Sequence, residues 1–272
     1  MVRFGLVMHE LRLNLLTREW VIIHSERAKK PDEFRQWREK KFVPEYLESC
    51  PFCPGNEWRT PDEMTRLPKD DGWRIRVIPN KLAALSPEGE RKRSNEGLKH
   101  LVTGVGRHEV IVESMRHDTT LALLPDEEVA DLLRVYKTRF IETYKDPRIE
   151  QVIIFKNQGI GAGTSIMHPH SQLIGTPVVP LHIRLRIDET MRYFDNTGEC
   201  LMCAMIKDEQ NDGRRVIIDS SKFISFVPYA ALSPFHMWIF PKRHTASFAD
   251  IADDEISDLA YVLKATLAKI YH

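Results

Sequence analysis

The run 155–172, FKNQGIGAGTSIMHPHSQ, places two imidazoles on either side of a proline, at the end of a glycine-rich approach. Neutral imidazole can attack phosphorus and form a covalent nucleotidyl-histidine, which splits one displacement into two. Gly159, Gly161 and Gly163 stand at alternate positions. Glycine lets the backbone come close to a phosphate and aim successive N–H groups at it. Asn157, the amides around Gly163, Thr164 and Ser165, and the side chain of Gln172 are in place to donate to charged phosphoryl oxygens. Two residues apart in extended backbone, the two rings are read as pointing to opposite faces. One then braces a structural site, while the other, His170, faces substrate.

The four cysteines fall in two Cys-x-x-Cys pairs, Cys50/Cys53 and Cys200/Cys203. In a reducing compartment this pattern favours metal over disulfide. Cys50-Pro51-Phe52-Cys53-Pro54-Gly55 reads as a tight knuckle presenting two sulfurs to one Zn²⁺. Structural zinc takes four ligands. The first pair has His117 and one histidine of the His168-Pro169-His170 turn to complete the set. The bland alternative makes His117 a helix-start residue and His168 a core histidine. The second pair has only His244, with His236 as a possible local substitute, so a fourth ligand is missing there.

These groups need rigid elements to hold them. Apolar runs at 151–155 and 173–179 read as strands leading into and away from the histidine turn. Further strands are expected at 20–24, 73–78, 108–113, 215–219, 223–227 and 237–240. Helices are expected over 125–144, where proline and acids suit the first turn, over 180–194, and over 253–271.

Residues 116–144 lie over residues 243–271 without a gap. His117 then falls on His244, Glu128 on Glu255, Leu132 on Leu259 and Tyr144 on Tyr271. Each half also carries a Cys-x-x-Cys before this block. The chain reads as a duplicated unit with halves at 1–179 and 180–272. A strand and histidine equivalent to those after the first helix would fall beyond His272, so the second half is expected to be incomplete.

Composition excludes some classes. Lys+Arg and Asp+Glu both count 39 in 272 residues, a balance that argues against a dedicated nucleic-acid binder. No apolar run approaches the ~20 residues of a membrane helix. The first residues show no apolar signal region, and the chain is read as cytoplasmic.

The segments EWVIIHSERAKKP, CPFCPGNE, RVIPNK, HEVIVES, NQGIGAGTSIMHPHSQ and PFHMWIFPKRH together resemble the galactose-1-phosphate uridylyltransferase family of the histidine-triad superfamily. The resemblance implies an α+β fold of two fused histidine-triad-like halves, each an antiparallel sheet with packed helices, working as a homodimer. It implies that His170 attacks the α-phosphate of a UDP-sugar, with Gln172 and Ser165 holding the nucleotidyl phosphate and Asn157, Gly163 and Thr164 adding contacts. Arg27 would meet the phosphate of hexose 1-phosphate, and Asn80 the nucleoside. Cys50, Cys53, His117 and His168 match the family zinc site. Cys200, Cys203 and His244 match a second site found in one branch.

The implied reaction moves UMP from UDP-glucose to galactose 1-phosphate. Uridylyltransferases commonly place an acid after the Asn80 equivalent, where this chain has Lys81. The common PFE reads Pro234-Phe235-His236 here. The first departure keeps adenylyl transfer or phosphorolysis on an ADP-sugar or dinucleoside polyphosphate as an alternative. The missing end keeps a second alternative, a nucleotide-binding zinc module without turnover.

Overall fold

A computed structural model of the chain describes residues 10–24, 33, 43–68 and 72–271, with Ile160 described by its backbone alone. Arg27, expected to meet a sugar phosphate, lies outside the described residues. In chain order the strands are β1 (Glu10–Leu13), β2 (Trp20–Ile23), β3 (Thr65–Leu67), β4 (Ile75–Pro79), β5 (Arg93–Glu96) and β6 (Lys99–Val102). They continue with β7 (Arg107–Val112), β8 (Gln151–Phe155), β9 (His170–Thr176), β10 (Val216–Asp219), β11 (Phe223–Phe226) and β12 (Trp238–Pro241). The described α-helices are α1 (Asp126–Tyr144), α2 (Leu181–Thr197), α3 (Leu201–Asp212) and α4 (Asp253–Tyr271). The fold is α+β, with antiparallel sheets and packed helices.

The chain divides into two compact units. One draws on Val43–Pro180 and Thr245–His272 and is built on a five-stranded antiparallel sheet in the order β3-β4-β7-β9-β8. Burial alternates along β9, with Ser171, Leu173 and Gly175 buried and His170, Gln172 and Ile174 half-buried. Period two sends these sets to opposite faces. The buried set faces α1, which begins with Asp126, Glu127 and Glu128 at its positive end and buries Val129, Leu132, Leu133 and Tyr136 at helical spacing. The helix lies close enough that a Cβ on Gly175 would stand 2.7 Å from side-chain atoms of both Ile149 and Thr143. α4 packs along α1, where Lys137 Nζ donates to the Ile251 carbonyl at 2.6 Å.

Polar groups are buried between α1 and the sheet, and the charged ones described here are paired, while the Thr143 hydroxyl has no partner among the described residues. Arg139 donates to both carboxylate oxygens of Glu109, at 2.8 and 2.6 Å. Glu113 accepts from Ser171 and, at 2.7 Å, from Lys156, while Tyr136 bonds Ser171. Such pairing is what makes burial of charge tolerable.

The other unit draws on Met1–Phe42 and Leu181–His244. Its sheet runs β10-β11-β12, and Ile206 of α3 packs against Ile224 and Phe226. The β1–β2 hairpin is tied to it where Asn14 Nδ2 donates to the Ala230 carbonyl at 3.2 Å.

The expected strands and helices are present within a few residues of their expected bounds. Four features were not expected: β1, β3, the exposed β5–β6 hairpin, and α3 directly after Cys200. Strands of three or four residues, half-buried in β1 and β3 and exposed in β5 and β6, carry little apolar alternation, which is why pattern reading passes over them. α3 was hidden because Cys200/Cys203 was read only as a metal-binding Cys-x-x-Cys pair. Here Cys200 is the N-cap and Cys203 sits in the first turn of the helix.

Candidate functional site

The expectation that the imidazoles diverge because they are two residues apart needs correction. Extended backbone puts residues i and i+2 on the same face. The rings diverge because β9 starts only at His170, and His168 sits in a bend before Pro169. His168 is fully buried, whereas His170 is half-buried beside a cleft.

His168 Nε2 lies 2.7 Å from the Ser114 carbonyl, which can only accept, so Nε2 carries the proton. Its Nδ1 is left with a lone pair, 3.6 Å from Cys53 Sγ. His117 Nδ1 approaches the same sulfur at 3.5 Å. Cys50, Cys53, His117 and His168 are all buried, and one ligand atom from each lies within 4.8 Å of the others. The carbonyl that fixes the His168 tautomer is the outer partner that metal-bound imidazoles usually have. Burial, with Cys53 beside it, pushes the Cys50 thiol up to about 11. A cation shared by the four groups would offset that cost, since thiolate is the ligand form. Donor types, number and spacing all fit a tetrahedral metal ion.

Cys200, Cys203 and His244 form a second, more open group, with Cys203 Sγ 3.2 Å from His244 Nδ1. It offers three protein ligands among the described residues.

His170 Nδ1 lies 2.8 Å from the carbonyl of His168. The carbonyl accepts, so the proton sits on Nδ1 and the lone pair on Nε2. Burial holds the ring's pKa below its ordinary value, as does the charge of Lys156 to a lesser degree. The neutral, nucleophilic form is thereby favoured. Phe52 sets its ring edge against His170 with centroids 5.3 Å apart.

The cleft holds about 230 Å³ and is bordered by Phe52, Arg59, Asn80, Lys81, Ser165, His170 and Gln172, among others. His170 and Gln172 lie on one face of β9 and line it together. Among the expected phosphate contacts, Ser165 and Gln172 are in this lining, while Asn157, Gly163 and Thr164 lie outside it. Thr164 turns its hydroxyl to the Ile166 carbonyl at 2.9 Å. The glycine-rich segment forms a 3-10 turn at Ile160–Ala162, flanked by Gly159 and Gly163 at φ +84° and +82°, a left-handed conformation that glycine adopts without strain.

Sequence reasoning missed three residues. Lys156 Nζ reaches both Glu113, at 2.7 Å, and the His170 carbonyl, at 3.2 Å. Glu113 is the buried acceptor of that contact. His108 bonds Gln172 at 2.8 Å. The available signal was His108 at the start of β7 and Glu113 just past its end, flanking the Val110-Ile111-Val112 run, with Lys156 directly after β8. It was read only as strand pattern.

Comparison with known proteins adds three findings. Residues 5–180 match the family model for the N-terminal domain of galactose-1-phosphate uridyl transferase, and residues 186–271 match that for its C-terminal domain. The chain is 38% identical to an ADP-glucose phosphorylase from Arabidopsis thaliana, over 96% of this chain and 74% of the relative. It is 27% identical to a galactose-1-phosphate uridylyltransferase from Thermotoga maritima, over 96% of this chain and 76% of that one. The crystal structure of an Arabidopsis thaliana ADP-glucose phosphorylase with bound ADP-glucose superposes with a TM-score of 0.78 at 34% identity, covering 97% of this chain and 77% of that one.

Proposed function

Because this chain belongs to the galactose-1-phosphate uridyl transferase family, we propose that it transfers a nucleoside monophosphate from a nucleoside-diphosphate sugar through His170. The observation that carries the proposal is the 2.8 Å contact from His170 Nδ1 to the His168 carbonyl, which leaves Nε2 unprotonated beside the cleft.

In the first step His170 Nε2 attacks the α-phosphorus. The bond from that phosphorus to the bridging oxygen breaks, and the sugar 1-phosphate leaves with the electron pair. The imidazolium so formed keeps its Nδ1–H on the His168 carbonyl. In the second step a phosphate oxygen of the acceptor attacks the same phosphorus, the P–N bond breaks, and neutral His170 returns. Gln172 and Ser165 donate to the non-bridging oxygens, where charge shifts during both steps. Asn157, Gly163 and Thr164 belong to the same phosphate-binding turn, and Asn80 borders the nucleoside.

Cys50, Cys53, His117 and His168 would hold Zn²⁺. When bound, the ion supplies no redox chemistry and anchors the segment whose carbonyl orients His170. Cys200, Cys203 and His244 would hold a second ion with an open fourth position.

Two donors are in question. An ADP-sugar is favoured by the 38% identity to an ADP-glucose phosphorylase, against 27–29% for several uridylyltransferases, and by Lys81 where those enzymes commonly have an acid. Inorganic phosphate would then be the acceptor. UDP-glucose with galactose 1-phosphate is the second reading, supported by the family itself. The duplicated halves at 1–179 and 180–272, a homodimer and a cytoplasmic setting are part of the proposal. Among the described residues no helix is long and apolar enough to cross a membrane.

Incubation with nucleobase-labelled ADP-glucose or UDP-glucose tests the reading. Acid-labile label on the protein from the adenine donor alone supports phosphorolysis. Label from the uracil donor alone supports the second reading. Label from neither removes the transferase.

A further inference from the structure

The polar groups behind Gln172 share one orientation, set from the chain segment after β4. The Leu82 N–H donates to Asn80 Oδ1 at 2.9 Å, and the Ala84 N–H donates to His108 Nδ1 at 3.0 Å. A backbone N–H can only donate, so both assignments are forced. Asn80 must then turn its NH₂ the other way, and neutral His108 must carry its proton on Nε2. Both of these donors meet one atom, at 3.1 and 2.8 Å, and stand 3.1 Å from each other around it, a donor–donor contact that only a shared acceptor offsets, so that atom must be the Gln172 carbonyl oxygen. The amide of Gln172 cannot flip without setting donor against two donors. Its NH₂ is left for the cleft that His170 also lines.

His108 is well placed for this role. It lies on β7, beside β9, and Gln172 pairs with Val110 while His108 pairs with Ile174. His108 and Gln172 are therefore diagonal neighbours on one sheet face, within reach of long side chains. The Asn80 N–H donates to the His108 carbonyl at 2.9 Å, which joins the end of β4 to the same residue.

We propose that His108 is a positioning residue for nucleotidyl transfer. With Asn80 it locks the Gln172 amide so that NH₂, and not oxygen, meets the phosphoryl group attacked by His170. The inference rests on the proposed transfer through His170. His108 touches no reacting atom and acts only through Gln172. A pre-aimed donor needs no reorganisation when charge shifts on the phosphoryl oxygens, which is where such donors gain their effect.

Two substitutions separate the two bonds of the ring. His108→Asn keeps an acceptor near the Nδ1 position for Ala84 and loses the donor to Gln172. His108→Gln keeps a donor near the Nε2 position. Single-turnover formation of nucleotidyl-enzyme from ADP-glucose and from UDP-glucose, followed by intact mass, should slow about tenfold to a hundredfold in His108→Asn. The donor concentration at half-maximal rate should change little, and His108→Gln should recover most of the rate. In a Gln172→Ala background His108→Asn should cause no further loss. Equal losses in the two His108 variants, or additive loss with Gln172→Ala, would overturn the assignment.

A measurement on the unaltered chain does not depend on variants folding. Nitrogen NMR of His108 should show the Nε2–H tautomer, and the Nδ1–H tautomer would refute the lock. A wild-type chain that forms no adduct with either donor fails on the transferase reading, whatever the NMR shows.

Discussion

His168 and His170 are joined by a hydrogen bond in which the Nδ1–H of the second meets the main-chain carbonyl of the first, at 2.8 Å. The ring of His168 meanwhile faces Cys53 across 3.6 Å. One residue thus belongs, through its side chain, to a group that could hold a metal ion and sets the tautomer of His170 through its backbone. In the proposed reaction this would couple metal binding to transfer through the backbone of one residue. Loss of metal should therefore harm transfer through geometry.

Cys53→Ser tests that coupling. Cys53 is fully buried, and its sulfur meets both histidines of the group. The variant should lose one metal equivalent per chain, read by elemental analysis after mild purification. Its stability should fall by several kcal/mol, a fraction of the ~10–16 kcal/mol that structural zinc supplies to small domains. Cys203→Ser, at the more open group, should leave the first equivalent in place. A Cys53→Ser protein with unchanged metal content and unfolding midpoint would refute the first-site assignment.

Lys156→Met tests the support beneath His170. Lys156 pairs with a fully buried Glu113 carboxylate and also holds the His170 carbonyl. Removing one partner of a buried pair costs about 3–5 kcal/mol, because the remaining charge is left uncompensated. Urea unfolding should show that loss, and the double variant Lys156→Met with Glu113→Gln should recover part of it. A single variant as stable as wild type would mean that the pair does not hold β9.

Asp146 gives a pH-dependent prediction. Hydrogen bonds from Arg148 hold its carboxyl down at about 2, against an ordinary 3.8. Arg148 also donates to the carbonyls of Gly89 and Pro87, at 2.6 and 2.9 Å. A lowered carboxyl pKa adds stability that is fully present above the unfolded value of 3.8 and is lost as pH falls through about 2. The stability difference between wild type and Asp146→Asn should hence be constant above about pH 5 and shrink towards pH 2. A difference that grows on acidification would contradict the assignment.

Much of this arrangement was legible in the residue order. The 3.6-residue periodicity of 126–144 is carried by a helix that buries Val129, Leu132, Leu133 and Tyr136, so pattern and packing agree. Cysteine spacing and the His-Pro-His turn marked the four residues that converge. The face each ring takes was not legible, because it depends on a bend that ends one residue before β9. Nor was the network behind Gln172. His108 and Asn80 are 28 residues apart and meet only through β-sheet register, which local pattern does not encode. α3 was obscured because its first turn carries Cys203, and a cysteine pair draws the eye to a loop.

The most direct test is the intact mass of the chain after brief exposure to ADP-glucose or UDP-glucose, beside His170→Asn treated alike. Wild type should gain the mass of one nucleoside monophosphate less water, and the gain should vanish when the acceptor phosphate is added. His170→Asn keeps a side-chain donor for the His168 carbonyl, so it should fold, retain its metal and gain nothing, with turnover lowered by at least about a thousandfold. An adduct of the same mass on His170→Asn, or turnover of either donor by wild type with no adduct at any time, would contradict transfer through His170.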